Sequence, residues 1–323
     1  MGNFGAYVPE LPVVLSFAKN GGHLCMSEKT NVKLIFDTDL GGDCDDTGAC
    51  AVLCNLAKAG EVQLLCATYC IGNPWGGYFL RYELDYFGFS DVPVGVLWDD
   101  TFMTDAVYEK YSRPYVERMG ASTEKQEDAV RLLRKTLAAN GGNRDIVLCA
   151  VGPLRNIANL LKSPADDISP LDGISLVREN VSVFYTMLGY FESAEYTEWN
   201  LKMDIPSARY CVENMPVKTV FLPSEAGSHI VTGQLLQNVS DEHPVRAAYT
   251  LWNNGTCHVR SSWDLITAYC AVRQDTPLYT YRPVHVTIDE NGISHPGEGD
   301  DMAILTQNAP DEEIVNALNP LML

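Results

Sequence analysis

Apolar and polar positions alternate in blocks along most of the chain, and the blocks read as strands and helices in turn. Val32-Lys33-Leu34-Ile35-Phe36 is a short apolar run that stops at Asp37, the pattern of a buried strand opening into a polar loop. Thr47 to Ala59, rich in Ala, Leu and Cys, reads as a helix, with Gly60 at its C-terminal stop. Val62 to Cys70 is a second strand. Thr123-Glu124-Lys125-Gln126 has capping-box spacing and predicts a helix through Ala139, closed by Gly141-Gly142. Ile146 to Val151 reads as a strand, and Pro153 sits near the start of a helix through Leu161. Val181 to Leu188 and Val217 to Leu222 are further strands, separated by a helix that Asp204-Ile205-Pro206 opens and Met215 closes.

Strand, acidic or glycine-rich loop, helix, strand: that repetition predicts parallel βαβ units, hence an α/β fold with a mostly parallel central sheet flanked by helices. After residue 243 the pattern turns mostly helical, and Val284 to Ser294 around Asn291-Gly292 predicts a hairpin. Residues 1–30 carry Gly and Pro without a period and are expected to be an N-terminal extension. No linker interrupts residues 31–323, which are expected to form one domain.

Composition narrows the function classes. The chain has 323 residues and a net charge of −19, a field that repels nucleic acid and anionic membranes, so neither is an expected partner. No apolar run approaches the 18 or so residues of a membrane-spanning helix. The ten cysteines sit mostly inside apolar runs and form no C-x-x-C pair, which predicts buried free thiols rather than a zinc ribbon or a disulfide framework. No basic residue precedes the apolar stretch Pro12 to Ala18, which makes a poor signal peptide. A cytoplasmic protein is the expectation.

The densest chemistry is Asp37-Thr38-Asp39-Leu40-Gly41-Gly42-Asp43-Cys44-Asp45-Asp46, with five carboxylates in ten residues directly after a buried strand. Ligand sites of α/β sheets lie beyond the carboxyl ends of strands. Anions held this close repel one another, and a hard divalent cation with all-oxygen ligands, Ca²⁺ or Mg²⁺, relieves the repulsion. An apolar strand followed by Asp-x-Asp also opens haloacid-dehalogenase-like phosphatases, but those place Thr or Val where this chain has Gly41. No Glu closes the loop as an EF-hand requires.

Four distant segments bear on that choice. Gly72-Asn73 follows the second strand; Val151-Gly152-Pro153-Leu154-Arg155-Asn156-Ile157-Ala158 follows a third. Glu198-Trp199-Asn200-Leu201-Lys202-Met203-Asp204-Ile205-Pro206 and Trp263-Asp264 lie further on. In order and spacing, over about residues 32–310, these and the acidic loop resemble the nucleoside hydrolase family. The acidic loop is similar to that family's Asp-x-Asp-x-Gly-x-Asp-Asp signature, lengthened by two residues. The fold the resemblance implies has a Rossmann-like core. The activity it implies is hydrolysis of the N-glycosidic bond of ribonucleosides or related N-ribosides by a Ca²⁺-activated water, as in purine and pyrimidine salvage. It implies a Ca²⁺ ion held by Asp39, Asp46, Asp264 and the Val151 carbonyl, with Asp39 as the general base. Asp45, Asn73, Glu198 and Asn200 would hold sugar hydroxyls, and Glu192, six residues before Glu198, falls where the family usually has an Asn near the sugar's 5′ end. Family members are commonly dimers or tetramers, so a homodimer or homotetramer is expected.

Three departures mark this copy. Asp43 is an extra carboxylate brought by the insertion; Glu192 replaces an Asn; Trp263 stands where some members carry a proton-donating His. Trp263 is therefore expected to stack on the leaving base, helped by Trp75, Tyr78 and Tyr82, and no general acid is assigned. A nucleoside-binding protein that keeps the metal site without turnover is the non-enzyme alternative, beside the phosphatase.

Overall fold

Val32–Thr38 becomes β1 because its alternate residues meet two different hydrophobic layers: Leu34 and Phe36 pack on one face of the sheet, Ile35 on the other. The computed structural model describes residues 31–323; the expected extension, residues 1–30, lies outside them. The other strands are β2 Val62–Tyr69, β3 Val94–Val96, β4 Glu127–Asp128, β5 Ile146–Ala150 and β6 Val181–Met187. They continue with β7 Lys218–Leu222, β8 Val231–Thr232, β9 Arg260–Ser261, β10 Tyr279–Ile288 and β11 Ser294–Gln307.

Nine strands form one sheet in the order β10-β11-β7-β6-β5-β1-β2-β3-β4, with every neighbouring pair parallel except β10 and β11. β8 and β9 pair separately, antiparallel. The sheet is covered on both faces by helices, as parallel sheets require. From β1 the chain winds outward through β2, β3 and β4, then returns to β5 on the other side and winds outward again. The crevice between β1 and β5 is thus the switch point at which doubly wound sheets bind ligands.

Several expectations shift by a turn. The first helix spans Asp45–Lys58, two residues earlier than its apolar pattern, so Asp45 and Asp46 belong to its first turn and not to the loop. The expected capping box at Thr123 is not used: Asp128 caps the helix Ala129–Ala139 by accepting the Arg131 N–H, and Glu127–Asp128 adds an edge strand. The helix Trp75–Tyr86 has no counterpart in the sequence reading, because Gly76 and Gly77 speak against a helix. Both glycines are packing requirements: a Cβ at Gly76 would lie 2.1 Å from the Leu40 carbonyl, and one at Gly77 2.5 Å from Val96. The hairpin at Asn291-Gly292 extends well beyond its expected strands and joins the main sheet through β11.

Candidate functional site

Two helices aim their N-termini at the same point beyond the β1 end. Asp45 and Asp46 occupy the first turn of Asp45–Lys58, and Asp264 the first turn of Trp263–Val272. The helices pack closely, with Gly48 leaving room for Leu265: a Cβ there would lie 2.9 Å from its Cδ1. Carboxylate oxygens of Asp45, Asp46 and Asp264 come within 4.8 Å of one another, and all three residues are buried. At that separation each pair of full charges repels by about 3 kcal/mol at an effective dielectric of about 20. A helix N-terminus returns only about 0.3–1 kcal/mol per anion. The dipoles therefore do not balance the repulsion; protons or a bound cation must.

Burial first, and neighbouring carboxylate charges second (Asp43 on Asp45, Asp45 on Asp264), hold Asp45 and Asp264 well above the usual carboxylate range. Asp46 is raised by burial and by the Asp39 charge, although it accepts a hydrogen bond from the Thr38 hydroxyl. Asp39 is half-buried and pushed up to about 8 by burial and by Asp45. It sits across the switch point from Gly152, where a Cβ would be 2.6 Å from its Oδ1, so only glycine lets the β1 and β5 loops approach this closely.

Asp37, two residues earlier, points into the core. Its Oδ1 accepts from Thr68 Oγ1 at 2.5 Å and from Asn156 Nδ2 at 2.8 Å, and Asn156 also donates to the Tyr69 carbonyl at 3.1 Å. Asn156 is thus a buried strut between β1, β2 and the helix Arg155–Lys162.

On the β6 side, Glu198 caps the short helix Trp199–Met203, accepting from the N–H groups of Asn200 (2.8 Å) and Leu201 (3.1 Å). Burial pushes its carboxyl up to about 7 against those bonds. The buried Asn200 amide donates to the carbonyl of Val151 at 2.7 Å and of Met187 at 3.1 Å, fixing the ends of β5 and β6 relative to each other. A carbonyl oxygen has two lone pairs, so Val151 can still face a cation.

These groups line one cavity of about 350 Å³, walled by Asp39, Asp43, Asp45, Asp46, Val151, Glu198, Asn200, Trp263 and Asp264 among others. Asn73 and Glu192 are not among its lining residues. The Asn73 amide donates to Glu109 Oε2 at 3.1 Å and Thr104 O at 3.4 Å, and its oxygen accepts the Trp75 N–H. Glu192 is exposed on the loop after β6. Nor do Trp75, Tyr78 and Tyr82 line it: Trp75 packs edge-on against Tyr78, and Tyr82 against Tyr115.

Asp43 has a clear partner. Arg260 Nε lies 3.0 Å from its Oδ1, and Nη2 lies 2.5 Å from its Oδ2. The Arg260 guanidinium rests 4.5 Å from the ring centroid of Trp252 and 4.9 Å from that of Trp263. Trp252 donates to the Gly42 carbonyl and Trp263 to the Ser224 carbonyl. Arg260, Trp252 and Tyr108 line the cavity and had no part in the sequence reading. In sequence Arg260 is a basic residue three places before Trp263; the neighbouring His258 is exposed and does not line the cavity. Val107, Tyr196 and Trp199 stand exposed at the mouth.

The family model described as inosine-uridine preferring nucleoside hydrolase matches residues 34–319. No curated protein matches the chain by sequence. Among solved structures, the inosine-uridine preferring nucleoside hydrolase of Bacillus anthracis aligns at a TM-score of 0.68 and 15% identity, covering 90% of this chain and 98% of that one. An inosine-guanosine nucleoside hydrolase aligns at 0.69 and 16%, with the same coverage. The type III effector protein XopQ, solved with adenosine diphosphate ribose, aligns at 0.66 and 15%, covering 90% and 92%.

Proposed function

The chain belongs to the inosine-uridine preferring nucleoside hydrolase family, and on that premise we propose that it hydrolyses the N-glycosidic bond of ribonucleosides or related N-ribosides. The observation that carries this reading is the convergence of Asp39, Asp45, Asp46 and Asp264 at the β1–β5 switch point, in one cavity with Glu198 and Asn200. The phosphatase reading finds no support in the family match or the fold.

The donor set fits a hard divalent cation. The donors are carboxylate and carbonyl oxygens, and the carboxylates are buried and mutually repelling. Asp39, Asp46, Asp264 and the Val151 carbonyl would hold it, and we assign Ca²⁺. Asp45 stands close enough to share that duty, while its Oδ2 accepts the Asp264 N–H at 3.3 Å and its other oxygen is open to a sugar hydroxyl. A cation held there would supply Lewis acidity, lowering the pKa of a bound water and favouring coordination of a sugar diol.

The protein's own groups do the rest. Asp39 accepts the proton of the attacking water, a role its place in the same cavity as Asp46 and Asp264 suits. The surrounding carboxylates favour the positive charge that develops at the sugar carbon. Glu198 and Asn200, locked by backbone hydrogen bonds, orient hydroxyls without reorganising. Asn73 and Glu192 would take part only if their loops turned toward the sugar. The setting is that of nucleoside salvage in the cytoplasm by a homo-oligomer. Among the described residues, no helix is long and apolar enough to cross a membrane.

A second reading has an observation of its own: among the described residues no His lines the cavity, so a riboside could be bound without being cleaved. One experiment separates the two. Purified protein is given a panel of ribonucleosides with Ca²⁺ and after chelation, and free ribose and binding heat are measured. Ribose release that requires the metal supports the hydrolase. Riboside binding with no ribose from any member leaves a binding protein.

A further inference from the structure

The insertion in the acidic loop and the loss of a histidine before Asp264 meet at one side chain, Arg260. Asp43, which the insertion adds, grips two of its three guanidinium nitrogens, Nε and Nη2. The third, Nη1, makes no hydrogen bond among the described residues. Two indoles hold the guanidinium plane in position, each anchored by its own N–H to a backbone carbonyl. Among the described residues, Arg260 is also the only cationic side chain lining the cavity. A guanidinium so fixed has lost its conformational freedom already and keeps one unused donor edge.

The position of that edge limits what it meets. The sugar hydroxyls need the carboxylates at the helix N-termini, so the heterocycle extends along the remaining wall, to which Trp252, Arg260 and Trp263 contribute beside Tyr108, Tyr196 and Trp199. An arginine cannot release a proton near neutral pH, but it makes strong charge-assisted hydrogen bonds to anions. The geometry points to Arg260 as a catalytic residue at the leaving group, where Nη1 stabilises the negative charge that builds on the departing base. Trp263 then serves as a platform for Arg260 rather than as the group that activates the base. The step balances. The C1′–N bond breaks with its electron pair going to the base nitrogen, and the water oxygen bonds C1′ while its proton goes to Asp39. The base leaves as an anion paired with Arg260, and solvent protonates it as Asp39 returns its proton to solvent.

This inference rests on the hydrolase reading, so its test contains a control for that reading. Wild type, Arg260→Met and Arg260→Lys are assayed with Ca²⁺ on ribosides graded by leaving group, from nitrophenyl riboside, whose anion leaves unaided, to natural nucleosides. Arg260→Met is expected to lose about 100-fold in kcat/KM on the nucleosides, the size of removing one preorganised donor, and only a few-fold on the nitrophenyl riboside. Arg260→Lys should fall between. Equal losses on every leaving group, or no loss, would overturn the assignment and leave Arg260 as a brace for the inserted loop. If Arg260→Met does not fold, the same gradient is read from Arg260→Lys. A wild type inert even on nitrophenyl riboside would sink the hydrolase reading instead. In that case inosine affinity of wild type against Arg260→Lys still decides the contact, and equal affinities overturn it.

Discussion

At one end of the cavity Asp45, Asp46 and Asp264 face one another, and no salt bridge among the described residues reaches them. At the other end Asp43 faces Arg260 beneath two indoles, its charge matched within the protein. Both ends draw carboxylates from the same stretch, Asp37 to Asp46, yet they ask for different things. An unmatched buried cluster is stable only with protons or a cation, so it could hold an ion. A matched pair is complete without a ligand, so whatever binds there is recognised by the one donor edge and the aromatic surface left over. On the proposed hydrolase reading, the difference puts the sugar and its metal at the first end and the heterocycle at the second.

The strongest test of that contrast is to empty the unmatched end. Asp46→Ala and Asp264→Ala are each expected to lower kcat/KM on the order of 1000-fold, as removal of preorganised electrostatics does elsewhere. Calorimetry should show Ca²⁺ binding lost in both. Wild type at a hundredfold excess of metal over Kd should gain about 2.7 kcal/mol of stability, and the variants nothing. Full calcium affinity in either variant would break the contrast.

The first end was the more legible in sequence, and for a physical reason. Repulsion among carboxylates is visible wherever they crowd into ten residues, and the strand before them says where they sit. The alternation of β and α segments likewise carried the mostly parallel sheet, while its strand order and switch point came only with the structure. What the sequence hid was set by distant packing. Asp37 and Asp39 read alike, and only the Asn156 and Thr68 side chains, from two other segments, turn Asp37 into a core residue. Asp43 had no visible duty because its partner lies 217 residues away. The helix Trp75–Tyr86 was hidden by glycines that serve close approach to Leu40 and Val96.

Titration sharpens the same comparison. Asp37 and Glu198 are pushed up to about 7 and Asp39 to about 8, whereas unfolded carboxyls titrate near about 4. The folded state therefore holds protons that the unfolded state has released. Their stabilisation is complete below about pH 4 and is lost as pH rises through 7 to 8, at up to about 1.4 kcal/mol per pH unit per group. Metal-free protein should thus melt progressively lower from pH 5 to 8 in denaturation experiments. Saturating Ca²⁺ should remove the share due to Asp39 and leave that of Asp37 and Glu198. A metal-free melting temperature that rises over this range would contradict the unmatched cluster.

Next in size is Asn200→Ala, which strips the donor from the Val151 and Met187 carbonyls at the joint of the cavity walls. A buried acceptor left without its donor costs about 1–3 kcal/mol, and chemical denaturation should find that loss. At the matched end, Asp43→Asn should cost less, about 0.5–1 kcal/mol, because both partners are partly exposed. A stability loss larger than that of Asn200→Ala would mean that the insertion, rather than the joint between β5 and β6, holds the cavity open.

The smallest effect is expected from Glu192→Gln, and it bears on how far the acidic end extends. By its spacing from Glu198 the residue belongs with the sugar contacts, which would lengthen the unmatched cluster by one more carboxylate. In the structure it is exposed, on the loop that carries Tyr196 to the cavity mouth, and it raises the neighbouring Tyr190 and Glu225 without touching the cavity. Surface substitutions of this kind change stability by less than about 0.5 kcal/mol. An isosteric amide also keeps the shape of the side chain, so any loss would report its charge alone. Steady-state kinetics should therefore leave kcat and KM for a ribonucleoside near the wild-type values. A rise in KM with kcat unchanged would show that the loop closes on bound sugar and brings Glu192 with it, so that the acidic end is completed only in the complex.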